Sequence, residues 1–324
     1  MNLKFESVWW QARAERLLTG FIKRGRIPHA VVLAGRPGIG KRLLAEAFAA
    51  ALMCRGPEVE FTGMACGGCS SCRRLLSGMN PDLMVLRPEG QAIKIDRVRE
   101  IASELSFAPL ASKRRVILLE DAERLGDEAA NALLKSLEEP PAHNVFILLA
   151  SNVYALLPTL RSRCFTITLQ PVPYDELIRT ARQLKDLTPE EAGLCAFLAQ
   201  GSRANLEKWL DGDHRKKWNR IDEWVKKLGR VPLRYFFKEV RELVESENSL
   251  EETLQLLKLW LILFIREAIR SKKALKEGWF DAFDFVEEGE QALKVNVNKL
   301  MLMEEVGLVL REAVYEAYSR CEVS

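Results

Sequence analysis

The sequence predicts an α/β module built on a parallel P-loop sheet, followed by a wholly α-helical half. Three observations carry this. Short, unbroken apolar runs alternate with amphipathic stretches as far as about residue 169. The glycine-rich run Gly35-Arg36-Pro37-Gly38-Ile39-Gly40-Lys41 lies between the first apolar run and a helical stretch. Strand signals stop at Gln170-Pro171-Val172-Pro173. Strands covered on both faces need no polar alternation, so continuous apolar runs between helices imply a parallel sheet sandwiched by helices. A chain of 324 residues is long for one core, and the pattern divides it into 1–169, 170–209 and 210–324.

Residues 8–24 have helical spacing at Val8, Ala12, Leu17, Leu18, Phe21 and Ile22, with Pro28 just beyond. A buried strand is expected at 29–34, ending in glycine, and a helix at 39–53. Further strands are expected at 83–86, 115–119, 145–150 and 165–169. Helices fall between them at 96–107 and at 121–139, the second closed by Pro140-Pro141. Two short helices follow at 174–183 and 189–200, broken by Gly201-Ser202. From about residue 210 the pattern is helical throughout. The stretch 254–269 is apolar nearly all round and is expected to be buried, either in a helical bundle or between subunits. Trp218, Trp224, Trp260 and Trp279 read as core anchors.

Composition is that of an ordinary soluble protein, 48% hydrophobic and 29% charged. A net charge of +3 does not by itself argue for nucleic acid. Lys113-Arg114-Arg115 and Arg215-Lys216-Lys217 read as solvated helix ends. Lys4 and Glu6 followed by an amphipathic pattern do not resemble a secretory leader. The longest apolar run, 259–265, is too short to span a bilayer, so no membrane partner is expected. Seven cysteines, an odd number, point to a reducing cytoplasm.

The glycine-rich loop follows a strand and opens a helix, the arrangement in which loop amides and a helix N-terminus bind phosphate. Gly35, Gly38 and Gly40 would shape that cradle, and Lys41 would reach a terminal phosphate of ATP or ADP. The next residue should carry a hydroxyl for Mg²⁺. It is Arg42, which cannot ligate a cation. The acidic pair that should end a strand as Asp-Glu is instead Glu120-Asp121. The shorter side chain then stands where a water-activating Glu is needed, out of hydrogen-bond reach. Nucleotide binding is left open; efficient hydrolysis is not expected.

Cys66, Cys69 and Cys72 are spaced CxxCxxC, with eleven residues between Cys54 and Cys66. Four thiolates favour tetrahedral Zn²⁺ in a closed structural site stapling an insertion at about 54–72. An Fe–S cluster is the rival, although the Cys-Pro that ends ferredoxin runs is missing. Cys164, Cys195 and Cys321 read as ordinary thiols.

These residues, with Pro28-His29-Ala30, Asn80-Pro81-Asp82, the run 131–141 (NALLKSLEEPP) and Leu160-Arg161-Ser162-Arg163-Cys164, resemble the delta-prime family of bacterial DNA polymerase III clamp-loader subunits, in the AAA+ superfamily. The resemblance is dense over 28–164 and weak beyond. It implies an AAA+ module over 1–169, a small helical lid over 170–209, and a helical collar over 210–324 that joins five subunits in a ring. Implied partners are the tau/gamma ATPase subunits and the delta subunit. The assembled ring would engage the sliding clamp and primer–template DNA. The arginine of Ser-Arg-Cys, here Arg163, would project into a neighbour's ATP site as an arginine finger. Taken alone, without the resemblance, Arg163 reads better as a surface salt-bridge partner than as a finger. The family's motor keeps the loop hydroxyl and an Asp-Glu pair, so Arg42 and Glu120-Asp121 favour the non-hydrolysing subunit. Two other readings stand beside it: an active tau/gamma-like motor, and a zinc-dependent DNA-binding protein with a vestigial P-loop. By the same resemblance, Arg203 lies within one residue of where the motor places a nucleotide-sensing arginine, and Ser151 and Asn152 stand at the sensor position of the sheet.

Overall fold

The computed structural model describes residues 3–318 except 91, 139–140, 142, 247–248, 273–274 and 294–296. It comprises two compact units, residues 1–207 and 208–324.

The first unit carries a five-stranded parallel sheet of β1 (Ala30–Ala34), β2 (Leu83–Leu86), β3 (Arg115–Leu119), β4 (Asn144–Ala150) and β5 (Phe165–Thr168), in the order β2-β3-β4-β1-β5. Every residue of β1, β3 and β4 is buried. Their period of two divides the side chains between two cores. Val31, Leu33, Val116, Leu118, Val145 and Ile147 join one; Val32, Ile117, Phe146 and Leu148 join the other.

The helices of this unit are α1 (Ala12–Lys23), α2 (Lys41–Met53), α3 (Val59–Thr62), α4 (Ser70–Leu76), α5 (Ile95–Glu104), α6 (Asp127–Glu138), α7 (Pro158–Arg161), α8 (Tyr174–Leu184) and α9 (Pro189–Leu198). Next comes α10 (Arg203–Leu210). Alanines at 45, 47, 49, 50 and 51 are all buried on α2, where small side chains let the helix lie close to the sheet. α9 starts on a capping box, Thr188 with Glu191, and Pro189 at its first position.

Three expectations need correction. The helix expected at 8–24 is two pieces: a 3₁₀ segment Phe5–Gln11 kinked at Val8, then α1. Gln11 ends the first piece because its side-chain amide is committed to the carbonyls of Ile39 and Gln170. The helix expected from 121 starts only at Asp127. Asp121 is left-handed (φ 49°) and a 3₁₀ turn, Ala122–Arg124, intervenes; Asp is one of the few residues that tolerates this conformation. Arg115 is not a solvated helix end. It is 3% exposed and donates to the carbonyls of Glu104 and Phe107.

Asn80-Pro81-Asp82 proves to be a buried brace. The Asp82 carboxylate, fully buried, accepts the amides of Leu110, Ala111 and Ser112, each at 2.7 Å. Asn80 donates to Ser71 and to Ser112, tying α4 to the loop before β3. Asp82→Ala strands three buried donors and is expected to cost about 3 kcal/mol or more. The urea midpoint measures this; a loss under about 1 kcal/mol would contradict the brace.

The second unit contains α11 (Gly212–Leu228), α12 (Leu233–Ser246), α13 (Leu250–Arg270), α14 (Gly278–Ala292) and α15 (Lys299–Tyr318). The four tryptophans are core anchors, each buried. Trp260 stacks on Phe264 at 5.3 Å, Phe264 meets Trp279 at 4.1 Å, and the Trp260 indole donates to Asp222. Burial of α13 is one-sided: Leu254, Leu257 and Leu261 are covered, Ile262 to Ile265 are half-covered, and Ile269 is exposed. Among the described residues no helix is long and apolar enough to cross a membrane. Cys321 lies outside the described residues.

Candidate functional site

Chemistry-bearing residues gather at three places in the first unit. The phosphate loop leaves β1 at Gly35, whose amide donates to Ala150 at the end of β4. Gly38 is left-handed (φ 77°), and a Cβ there would stand 2.1 Å from the Ser202 hydroxyl, so only glycine fits. The 3₁₀ segment braces the loop from the other side, through Trp10 and Gln11 donating to the Ile39 carbonyl. Arg203 lies over the Trp10 ring at 5.8 Å and pairs with Glu207.

Lys41 turns back on its own loop. Its ammonium donates to the carbonyls of Gly35 and Arg36. Burial pushes its pKa below the ordinary lysine value, against the pull of Glu123 and Asp121. Arg42 sits where a metal-binding hydroxyl is wanted. Its guanidinium pairs with Glu46 at 3.0 Å and with Glu120 at 3.4 Å, while Arg87 holds the other Glu120 oxygen at 3.1 Å. Two guanidinium groups thus occupy one carboxylate, leaving it poorly suited to a divalent cation. Asp121 is exposed, and its backbone lies in the left-handed region.

Two residues at this site escaped the sequence reading. Glu123 accepts from both the amide and the hydroxyl of Ser151 at the end of β4. It is also the larger of the two acidic influences on Lys41. Arg87 is the other. Adjacency of β2, β3 and β4 was the signal that could have found both, since each lies just past a neighbouring strand's end. Asn152 has a local task, capping the turn at Tyr154.

The second place is the cysteine cluster. Cys54 ends α2, Cys69 caps α4 and Cys72 lies in its first turn. The sulfurs of Cys54, Cys66, Cys69 and Cys72 all lie within 4.8 Å of one another. A tetrahedral zinc thiolate needs sulfurs about 3.8 Å apart, so a slight contraction suffices. Amides point at the sulfurs: Gly56 and Cys66 donate to Cys54, Cys69 to Cys66, and Cys72 to Cys69. Burial opposes ionisation of Cys69, but amide and thiol donors outweigh it and bring that thiol down to about 6. Burial raises the pKa of Cys54 and Cys72. A Cβ on Gly56 would lie 2.9 Å from the Cys66 sulfur, which fixes glycine beside the cluster. The four side chains therefore fit a metal ion, which would act as a structural staple. Cys164 stands apart, its pKa pushed up to about 11 by burial.

The third place is Arg163, just past α7. Its Nη2 pairs with Glu138 at 2.6 Å, and its Nη1 donates to the Thr159 carbonyl and the Ser162 hydroxyl. None of these partners belongs to the phosphate loop. The structure thus groups Lys41, Arg42 and Glu120 around one centre, with Asp121 beside them, while the cysteines and Arg163 form separate ones.

Residues 10–173 match the family described as DNA polymerase III, delta subunit. A DNA polymerase III subunit delta' of Pseudomonas aeruginosa is 38% identical over 223 residues, covering 68% of this chain and 66% of the relative. The Bacillus subtilis subunit delta' is 27% identical over 334 residues, covering 93% and 96%. The crystal structure of a DNA polymerase III gamma subunit-related protein from Thermotoga maritima superposes with a TM-score of 0.55 over 93% of this chain and 99% of that one. Its identity is 17%, so that likeness speaks to fold alone.

Proposed function

Because the chain belongs to the delta-prime family of DNA polymerase III subunits, we propose that it acts in a sliding-clamp loader as a largely non-hydrolysing AAA+ subunit, lending Arg163 to the ATP site of a neighbour. One observation carries the division of labour: the carboxylate that should serve Mg²⁺ is held by Arg42 and Arg87, while Arg163 stands at the surface with donors to spare. A site without a cation ligand or a reaching base does not activate water. An arginine delivered from outside needs neither.

On this reading residues 170–209 form the lid and 210–324 the collar of a five-subunit ring with tau/gamma and delta subunits. ATP binding by the motors closes their sites on Arg163, and the ring opens the clamp around primer–template DNA. Hydrolysis then releases the clamp onto DNA. The cysteine cluster holds structural Zn²⁺ in a reducing cytoplasm. The phosphate loop takes up ATP or ADP weakly at most, since Lys41 is already satisfied by loop carbonyls.

The test separates this chain's own nucleotide site from its neighbour's. Purified alone, the protein is expected to turn over ATP at background. Lys41→Ala is expected to support clamp loading by the reconstituted complex within about twofold of wild type, because an unused lysine contributes no transition-state stabilisation. Rapid turnover by the isolated chain, or collapse of loading on Lys41→Ala, would overturn the reading in favour of a motor.

A further inference from the structure

We propose that Glu138 is a positioning residue for Arg163, holding the guanidinium in the orientation in which it meets a neighbour's phosphate. The inference rests on the trans-acting role proposed above for Arg163. A long arginine at the edge of a module samples many rotamers, and a finger that must be searched for contributes less than one already aimed. Here the head group is fixed from two helices. Glu138, the last residue of α6, accepts from Nη2 at 2.6 Å. The Thr159 carbonyl, in α7, accepts from Nη1 at 3.0 Å, and the Ser162 hydroxyl lies 3.4 Å from the same nitrogen.

The donor inventory shows what remains. A guanidinium has five N–H groups. Three are directed at these acceptors, leaving the Nε hydrogen and one on Nη2. Two donors are enough for a two-point grip on a phosphate. The carboxylate uses a single oxygen on one nitrogen, so it orients the fork without covering it.

Fold stability does not account for the pair. Arg163 is 35% and Glu138 49% exposed, and ion pairs so open to water contribute little to folding. The sequence flagged the run around Glu138 only as a family signature. Contact with Arg163 gives that glutamate a task at the subunit edge.

The experiment reconstitutes the full loader with Glu138→Ala, Glu138→Gln, Arg163→Ala and the Glu138→Ala/Arg163→Ala double variant, and reads single-turnover, DNA-stimulated ATP hydrolysis at the motor site facing this chain, with the other motors inactivated. Glu138→Ala is expected to fall about fivefold, a loss of orientation and not of the charged group. Glu138→Gln, which keeps an acceptor, should recover to within about twofold of wild type. The double variant should be no slower than Arg163→Ala, because a residue acting only through another adds nothing once that one is gone. The melting temperature of the isolated chain should not move, separating this role from a structural one. Turnover of Glu138→Ala at or above wild type would overturn the inference, as would additive losses in the double variant. An unaffected Arg163→Ala would instead overturn the trans-acting reading itself, and Glu138's role with it.

Discussion

Arg163→Ala is expected to lower ATP turnover at the one motor site facing this chain by about 10³-fold, the lower end of what an arginine finger supplies in phosphoryl transfer. Charge develops on the transferring phosphoryl group, and a guanidinium set against it in a water-poor interface stabilises that charge without reorganisation. In the proposed ring, motor sites that face other neighbours would keep their own fingers, so bulk ATPase should fall only partly. Clamp loading, which needs the whole cycle, falls further. Single-turnover hydrolysis in the reconstituted complex, with the other motors inactivated, measures the effect directly. Arg163→Lys should recover little, since an ammonium is a point charge without the fork. Wild-type turnover by Arg163→Ala would remove the proposed role.

Cys72→Ser is expected to abolish metal binding and to open the insertion locally. Four-thiolate zinc sites bind with an apparent free energy on the order of 10 kcal/mol, and Cys72 is fully buried in the first turn of α4. The loss should remain local. Leu75 packs in the core and Ser71 is hydrogen-bonded within the Asn80 brace, while no strand of the sheet lies between Cys54 and Cys72. Wild-type protein should carry one equivalent of zinc, and the variant none. Limited proteolysis should cut the variant within about residues 54–78 and leave the remainder of the first unit intact. Full zinc occupancy in Cys72→Ser would refute the four-cysteine site; global unfolding would refute its confinement to the insertion.

The sheet was legible because strands buried on both faces leave unbroken apolar runs, and β1, β3 and β4 are buried at every position. Helix boundaries were less legible where side chains compete with the helix. Gln11 spends its amide on two distant carbonyls, and Asp121 takes a conformation that its charge and spacing do not announce. The cysteines were readable from spacing alone, since four sulfurs brought within 4.8 Å need only a short, turn-rich connection. The partners of the candidate site were not. Glu138 lies 25 residues from Arg163, and Arg87 lies 33 from Glu120. Such pairs are set by strand order and helix docking, which local pattern does not encode. Asp82 is the sharpest case: a motif residue whose purpose, three amides of a distant loop, exists only once the sheet has formed.

The double clasp on Glu120 also bears on reversibility. A mutation returning a hydroxyl at position 42 would free only one oxygen, because Arg87 still grips the other. Position 121 would have to change as well, and it would place a longer acid on a backbone at φ 49°. If hydrolysis is absent as proposed, no substitution at position 42 alone would restore it, so the loss would behave as a ratchet and not as a switch.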